Sequence, residues 1–283
     1  MAKSVTSRFI IPRLPSTIGN NGDDENRFSQ IEANYPVGSL SMNENTIHIG
    51  TSGWHYQHWV GPFYPDGMQA DDFLDYYARH FDTVEINNSF YGLPEEGTLR
   101  QWRQIVPDNF MFCAKASRYI THMKKLLDPR EPVNTFLECM AILAHNLGPI
   151  LFQLPPNWRA NPGRLEAFLK ILPQDRRYTF EFRDPSWFVD SVYELLEQYN
   201  AAFCIYQLAG RISPKTITTD FIYVRLHGPG EAYQGCYSTQ ELSSWAGAFS
   251  IWSGQGKEIF CYFDNDQAGY AVRNAAELGE MLA

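Results

Sequence analysis

The stretch YTFEFRDPSW, from Tyr178 to Trp187, is apolar at its start and charged at its end, and its alternation identifies what carries it. Side chains point to opposite faces of a strand in turn, so Thr179, Glu181 and Arg183 share one face while Phe180 and Phe182 share the other. Charge on one face and aromatic rings on the other suit a barrel stave whose inner face points into the lumen. Seven further stretches have the same form: IHIGTSGW from Ile47, TVEINNSFYG from Thr83, FMFCAKASRYITH from Phe110, ILFQLPPNW from Ile150, AAFCIYQLAG from Ala201, FIYVRLHGPG from Phe221 and EIFCYFDND from Glu258. Six of the seven intervals between them carry a helix-like amphipathic segment. Strands and helices in strict alternation predict class α/β, a single (β/α)8 TIM-type barrel with its chemistry at the carboxyl ends of the strands.

The first helix is expected around Phe73, Leu74, Tyr77 and Phe81, after Asp71 and Asp72. Others are expected over Thr98 to Val106, Val133 to Leu147, Arg164 to Leu172, Ser186 to Tyr199, Thr239 to Trp252 and Ala268 to Leu282. Gly148 and Pro149 read as the stop of the third helix, leading into strand four. The segment Gly210 to Asp220, with Pro214 and four Thr or Ser residues, is too short and too poor in helix formers, so helix six is expected to be reduced or missing. The barrel is assigned to residues 46–283. Residues 1–45, rich in Ser, Asn, Pro, Gly and Asp, are expected to be a disordered extension. Lys3, Arg8 and Arg13 faintly resemble an organelle transit peptide, but the segment lacks a signal-peptide apolar region of adequate length.

At 283 residues the chain suits one such barrel. The 44% hydrophobic and 19% charged content is that of an ordinary globular protein, and no window approaches a membrane span. With 23 basic and 32 acidic residues, the net charge of −9 disfavours nucleic acid and points to a small-molecule partner. Five cysteines without a CxxC pair speak against a disulfide framework or zinc cluster and for a reducing, cytoplasmic compartment. Oligomeric state is not readable.

The strand phases place a polar constellation at one end of the lumen: Glu85 and Asn87 on strand two, Lys115 on strand three, Gln153 on strand four, Glu181 and Arg183 on strand five, Arg225 and His227 on strand seven, Tyr262 and Asp264 on strand eight. Three acids face three bases there, and a buried ion must be paired or hydrated. A structural ion-pair network is the plain reading. Polar or charged groups at the ends of six of eight strands favour an active site instead. The catalytic candidates are Glu85, Lys115, Glu181, Arg183 and His227. The substrate-binding candidates are Trp54, Asn87, Tyr91, Gln153, Trp187, Arg225, Tyr262 and Asp264. Glu181 and Glu85 would be acid and base, Lys115 an electrostatic clamp or a nucleophilic amine, and His227 a base, a metal ligand or a satisfied hydrogen-bonding group. No metal residue and no cofactor is assigned. A divalent metal on Glu85, Glu181, His227 and Asp264 is the alternative, but Lys115, Arg183 and Arg225 compete for the same carboxylates. Aromatic residues in the tails suit either a ring-bearing ligand or packing between loops. Gly228 to Gly230 and Asp264 to Gly269 stand where many barrels bind phosphate.

The motifs GTSGW (Gly50 to Trp54), FYP (Phe63 to Pro65), TVEIN-SFY (Thr83 to Tyr91), KAS and ITH (Lys115 to His122), LGPILFQLPP (Leu147 to Pro156), EFR and SW (Glu181 to Trp187), RLHG (Arg225 to Gly228), FDND and GYA resemble the YecE-like family, a domain of unknown function. The resemblance covers roughly Ile47 to Leu282 and implies a TIM barrel; it brings no reaction and no assigned catalytic residues. Gln207 stands where relatives often carry an acid, and Asp264 where Asn is common. Three functions compete: metal-free acid/base catalysis on a small anionic or polyhydroxylated ring substrate, a divalent-metal isomerase or phosphoesterase, and a non-catalytic module binding sugar or single-stranded nucleic acid.

Overall fold

In the computed structural model, which describes residues 47–283, all eight apolar stretches form parallel strands. They are β1 (Ile47–Thr51), β2 (Thr83–Ile86), β3 (Met111–Lys115), β4 (Leu147–Gln153), β5 (Tyr178–Glu181), β6 (Ala201–Leu208), then, after a two-residue strand β7 (Arg211–Ile212), β8 (Phe221–Leu226) and β9 (Glu258–Phe263). The expected extension over residues 1–45 lies outside the described residues. The ladder runs β1-β9-β8-β6-β5-β4-β3-β2, and a parallel bridge between Ser52 and Glu85 brings β1 back to β2. The sheet therefore nearly closes into the TIM-type barrel. Gly50 permits this approach, because a Cβ there would stand 2.2 Å from the Thr83 carbonyl oxygen.

Among the described residues seven α-helices cover the outside: α1 (Phe73–Ala78), α2 (Glu96–Ile105), α3 (Arg130–Met140), α4 (Pro162–Leu169), α5 (Asp190–Gln198), α6 (Thr239–Gly254) and α7 (Tyr270–Leu282). Their starts follow local chemistry. The Asn161 side chain accepts from the Arg164 N–H with Pro162 in the first turn of α4, and Ser238 and Glu241 form a reciprocal capping box on α6.

The third helix ends earlier than expected. After Met140 the chain tightens into a 3-10 turn over Ala141–Asn146, with Ala144 left-handed at φ 51°, and β4 begins at Leu147. Gly148 and Pro149 thus lie inside the strand rather than stopping the helix. They sit at a bulge, where the register jumps from Phe112 opposite Leu147 to Ala114 opposite Ile150. Pro149 needs a position without a ladder hydrogen bond, and Gly148 is pressed so close to β3 that a Cβ would meet Cys113 Sγ at 2.9 Å.

No sixth helix forms. Instead β7 folds back antiparallel on β6 through Ala209 and Gly210, both at positive φ (51° and 70°), as a tight hairpin requires. Thr218 and Ser213 then accept from the N–H groups of Phe203 and Tyr206, taking over hydrogen bonding along that side of β6.

Two apolar layers result. Phe152, Phe180, Phe182 and Phe203 pack outward towards the helices, whereas Cys113, Leu151, Tyr223, Phe260 and Tyr262 fill the lumen. The interior is a plug that supports whatever stands above it. All five cysteines are free. Among the described residues no helix is long and apolar enough to cross a membrane.

Candidate functional site

Above the apolar plug, at the carboxyl ends of the strands, lies a buried charged layer centred on Arg225 from β8. Its Nη1 donates to Glu181 Oε2 (2.9 Å), and its Nη2 donates to Glu85 Oε1 (2.6 Å) and Asp264 Oδ2 (3.2 Å). Glu85 also accepts from Ser52 Oγ (2.7 Å) and the Tyr223 hydroxyl (2.7 Å). Arg183 Nε donates to Glu181 Oε1, and the Arg183 guanidinium lies 4.9 Å over the Tyr206 ring. Arg225, Glu85, Glu181 and His227 are wholly buried. Burial by itself would raise the Glu181 pKa; Arg183 and Arg225 more than reverse this and hold the carboxyl well below its ordinary range. Asp264 is treated alike: burial opposes its charge, and His227 with Arg225 keeps it lowered.

A guanidinium can only donate. The His227 Nε2 approached by Arg183 Nη2 at 3.0 Å must therefore accept, which assigns the imidazole proton to Nδ1, where Asp264 Oδ2 accepts it at 3.0 Å.

Lys115 differs from its neighbours. It is 8% exposed, its ammonium lies 4.3 Å over the Phe90 ring, and it has no carboxylate partner among the described residues. Burial lowers its pKa first and Arg225 adds to this; Glu85, Glu181 and Asp264 offset part, leaving it at about 8.

The expected constellation therefore comes together for Glu85, Lys115, Glu181, Arg183, Arg225, His227 and Asp264. Gln153 and Arg183 also line a cavity of about 580 Å³ next to this layer. Asn87 instead lines a separate cavity of about 540 Å³ beside Trp54 and Trp102, and its Oδ1 is buried without a hydrogen-bond partner. Three substrate-binding candidates stand away from the mouth. Trp54 packs edge-on against Trp102, outside the strands. Trp187 is fully buried, stacked on Phe182 at 4.7 Å with its indole N–H donated to the Trp158 carbonyl. Tyr262 lies in the plug, 2.6 Å from Thr83 Oγ1. Apolar burial drew these rings inward, and of the aromatic tails Tyr91 (75% exposed) and Tyr233 (48% exposed) stay open.

In the suggested phosphate loop the Gly228 N–H is already committed, donating to the Tyr237 hydroxyl. Among the described residues no three His, Cys, Asp or Glu side chains are grouped to hold a metal; the guanidinium groups already occupy these carboxylates. Gln207, one of the two positions that departs from the related pattern, points outward, accepting from Trp245 Nε1 at 3.2 Å. Ser52, Tyr206 and Tyr223 went unread as site residues, although strand parity places Tyr206 above Cys204 and Tyr223 below Arg225.

A sequence profile described as protein of unknown function DUF72 matches residues 48–283. The UPF0759 protein YecE of Escherichia coli (strain K12) is 35% identical over 145 residues, 50% of each chain, so the match spans about half of that relative's length. The UPF0759 protein YunF of Bacillus subtilis (strain 168) is 27% identical across 83% of this chain and 94% of its own. Among solved structures, a DUF72 family protein from Thermotoga maritima MSB8 superposes with a TM-score of 0.77 at 28% identity, covering 83% of this chain and 98% of that one. D-psicose 3-epimerase from Clostridium cellulolyticum H10 gives 0.53 at 9% identity over 83% and 98%, a likeness of fold alone.

Proposed function

The chain belongs to the DUF72 family, a family of unknown function, and from that premise we propose that it is an enzyme that moves a proton on a small anionic or polyhydroxylated ring substrate. The site is the carboxyl-terminal mouth of the barrel, and Lys115 is the proton carrier. The compartment is the reducing cytoplasm, which suits five free cysteines. The observation that carries this reading is the unmatched ammonium of Lys115. Every other charge in the layer has an opposite partner within hydrogen-bond reach, so those groups form a fixed frame.

With its pKa at about 8, roughly a tenth of Lys115 is the free amine at pH 7. The amine takes a proton from a substrate carbon and becomes ammonium; the ammonium stabilises the adjacent substrate anion by its charge and then returns the proton to the same or a neighbouring carbon. No oxidant or reductant is consumed. Glu181, held ionised between two guanidiniums, serves as their counter-charge and not as an acid, which moves the acid/base role expected of the two glutamates onto the lysine.

The test is incubation in D2O with a panel of sugars, sugar acids and sugar phosphates, followed by mass spectrometry for deuterium uptake or product. Wild-type protein is expected to exchange or convert at least one compound and Lys115→Met none. Equal conversion by Lys115→Met overturns the assignment.

A further inference from the structure

Where a (β/α)8 barrel would carry its sixth helix, the β6–β7 hairpin prolongs the strand past the barrel rim, and the cavity of about 580 Å³ lies against it. Gln153, Arg183, Tyr206, Arg211, Ile212 and Tyr233 are among its walls. No acidic side chain lines it among the described residues and two arginines do, in a chain with a net charge of −9.

Arg183 is held on three sides: Nε by Glu181, Nη2 by His227, and its plane by the Tyr206 ring. Its Nη1 has no hydrogen-bond partner among the described residues. Arg211 is fixed through the hairpin backbone opposite Leu208, and its guanidinium has no carboxylate partner among the described residues. The Gln153 carboxamide is likewise uncommitted there. A guanidinium already immobilised by other contacts loses little freedom when its remaining edge binds an oxyanion, and charge-assisted donors of this kind suit carboxylate or phosphate.

We propose that this cavity is the recognition pocket for an oxyanion on the substrate, a carboxylate or phosphate group held by Arg183 Nη1 and Arg211, with Gln153 donating beside them and the attached ring against Tyr206 and Tyr233. The proposal rests on the catalytic reading above, because the pocket orients the substrate towards Lys115. Lys115 and Gln153 end the adjacent strands β3 and β4, and Arg183 lies two residues past the end of β5, so Lys115 and Arg183 are two strand spacings apart, roughly 10 Å. A six-membered ring bearing one exocyclic anionic group spans that gap.

Isothermal titration of the full chain at pH 7 and low salt with inorganic phosphate and, separately, malonate tests this. Saturable binding of either is expected in the millimolar range, weakened about fivefold or more by Arg211→Ala and less by Arg211→Lys, as one charge-assisted contact implies. Preference for phosphate identifies a phosphorylated substrate and preference for malonate a carboxylate. Absence of saturable binding to both, or binding unchanged in Arg211→Ala, overturns the proposal. Anion binding that stands while no panel compound is converted counts against the catalytic reading alone. Turnover of an uncharged sugar indifferent to Arg211→Ala upholds catalysis and overturns the oxyanion pocket.

Discussion

At the amino-terminal end of the barrel His48 sits between Asp82 Oδ2 (2.7 Å) and Glu258 Oε1 (3.3 Å), and Arg177 pairs with Glu258 while lying over the Phe221 and Phe260 rings. At the carboxyl end Arg225 sits between Glu85 and Glu181, with Lys115 near them and unmatched. Burial opposes charge at both ends. Around His48 it is outweighed by hydrogen bonds donated to two carboxylates, and the pKa rises to about 9; at Lys115 it combines with Arg225 and the pKa falls to about 8. The lower cations are each paired directly with a carboxylate, which makes that cluster a fastener, whereas Lys115 above has no carboxylate within hydrogen-bond reach among the described residues and its charge state is open to a ligand or a proton. The same ingredients therefore give fully paired cations at one end and an unpaired ammonium at the other.

The sharpest way to break this contrast is to remove the unmatched cation. Lys115→Met is expected to lower turnover of whichever panel compound is converted by about 10²–10⁴-fold while leaving the melting temperature unchanged or raised, since a partnerless buried charge is lost. A drop in melting temperature like that of a paired residue would make Lys115 part of the fastening. Next is Arg225→Met, which removes a charge-assisted donor from three carboxylates, of which Glu181 keeps Arg183, and should cost about 3–5 kcal/mol in denaturant unfolding; a cost under about 1 kcal/mol would mean that water, not Arg225, satisfies them.

The pH dependence separates the two ends by sign. The folded-state pKa of His48 lies above its unfolded value of about 6.5. Its stabilisation, on the order of 2–3 kcal/mol, is full below pH 6.5 and lost as pH rises through about 9. Lys115 is depressed from 10.5 to about 8, so its ammonium destabilises the fold below pH 8 and that penalty lifts as pH climbs towards 10.5. Urea unfolding across pH 6–10.5 should show His48→Asn losing the falling limb and Lys115→Met losing the rising one. A falling limb that persists in His48→Asn would place its origin elsewhere. Smallest of all, Gln207→Glu is expected to leave turnover within about twofold, because residue 207 faces α6; a larger change would connect the outer face to the mouth.

Much of this site was legible because strand parity is rigid. Once Phe180 and Phe182 face the helices, Glu181 must face the lumen, and the same rule delivers Glu85, Arg225, His227 and Asp264. Parity says nothing of depth, so Tyr262, in phase with Asp264, turned out to belong to the plug. It also fails beyond the strand ends, where Trp54, Trp187 and Asn87 follow loop packing. Gly148 and Pro149 were misread for a related reason. They mark helix ends by local preference, but here they answer to a bulge against β3, a neighbour some 35 residues away in the chain.

By itself the sequence determined the eight staves, their phase, the absent sixth helix and the identity of the charges at the mouth, since each depends on periodicities and turn preferences confined to about ten residues. Only the tertiary structure decided which charges are matched. Arg225 meets Glu85 across 140 residues and Glu181 across 44, and no local pattern specifies such distances. That Lys115 is the cation left without an acid, and Arg183 the one with an open edge, follows from closing the barrel in three dimensions.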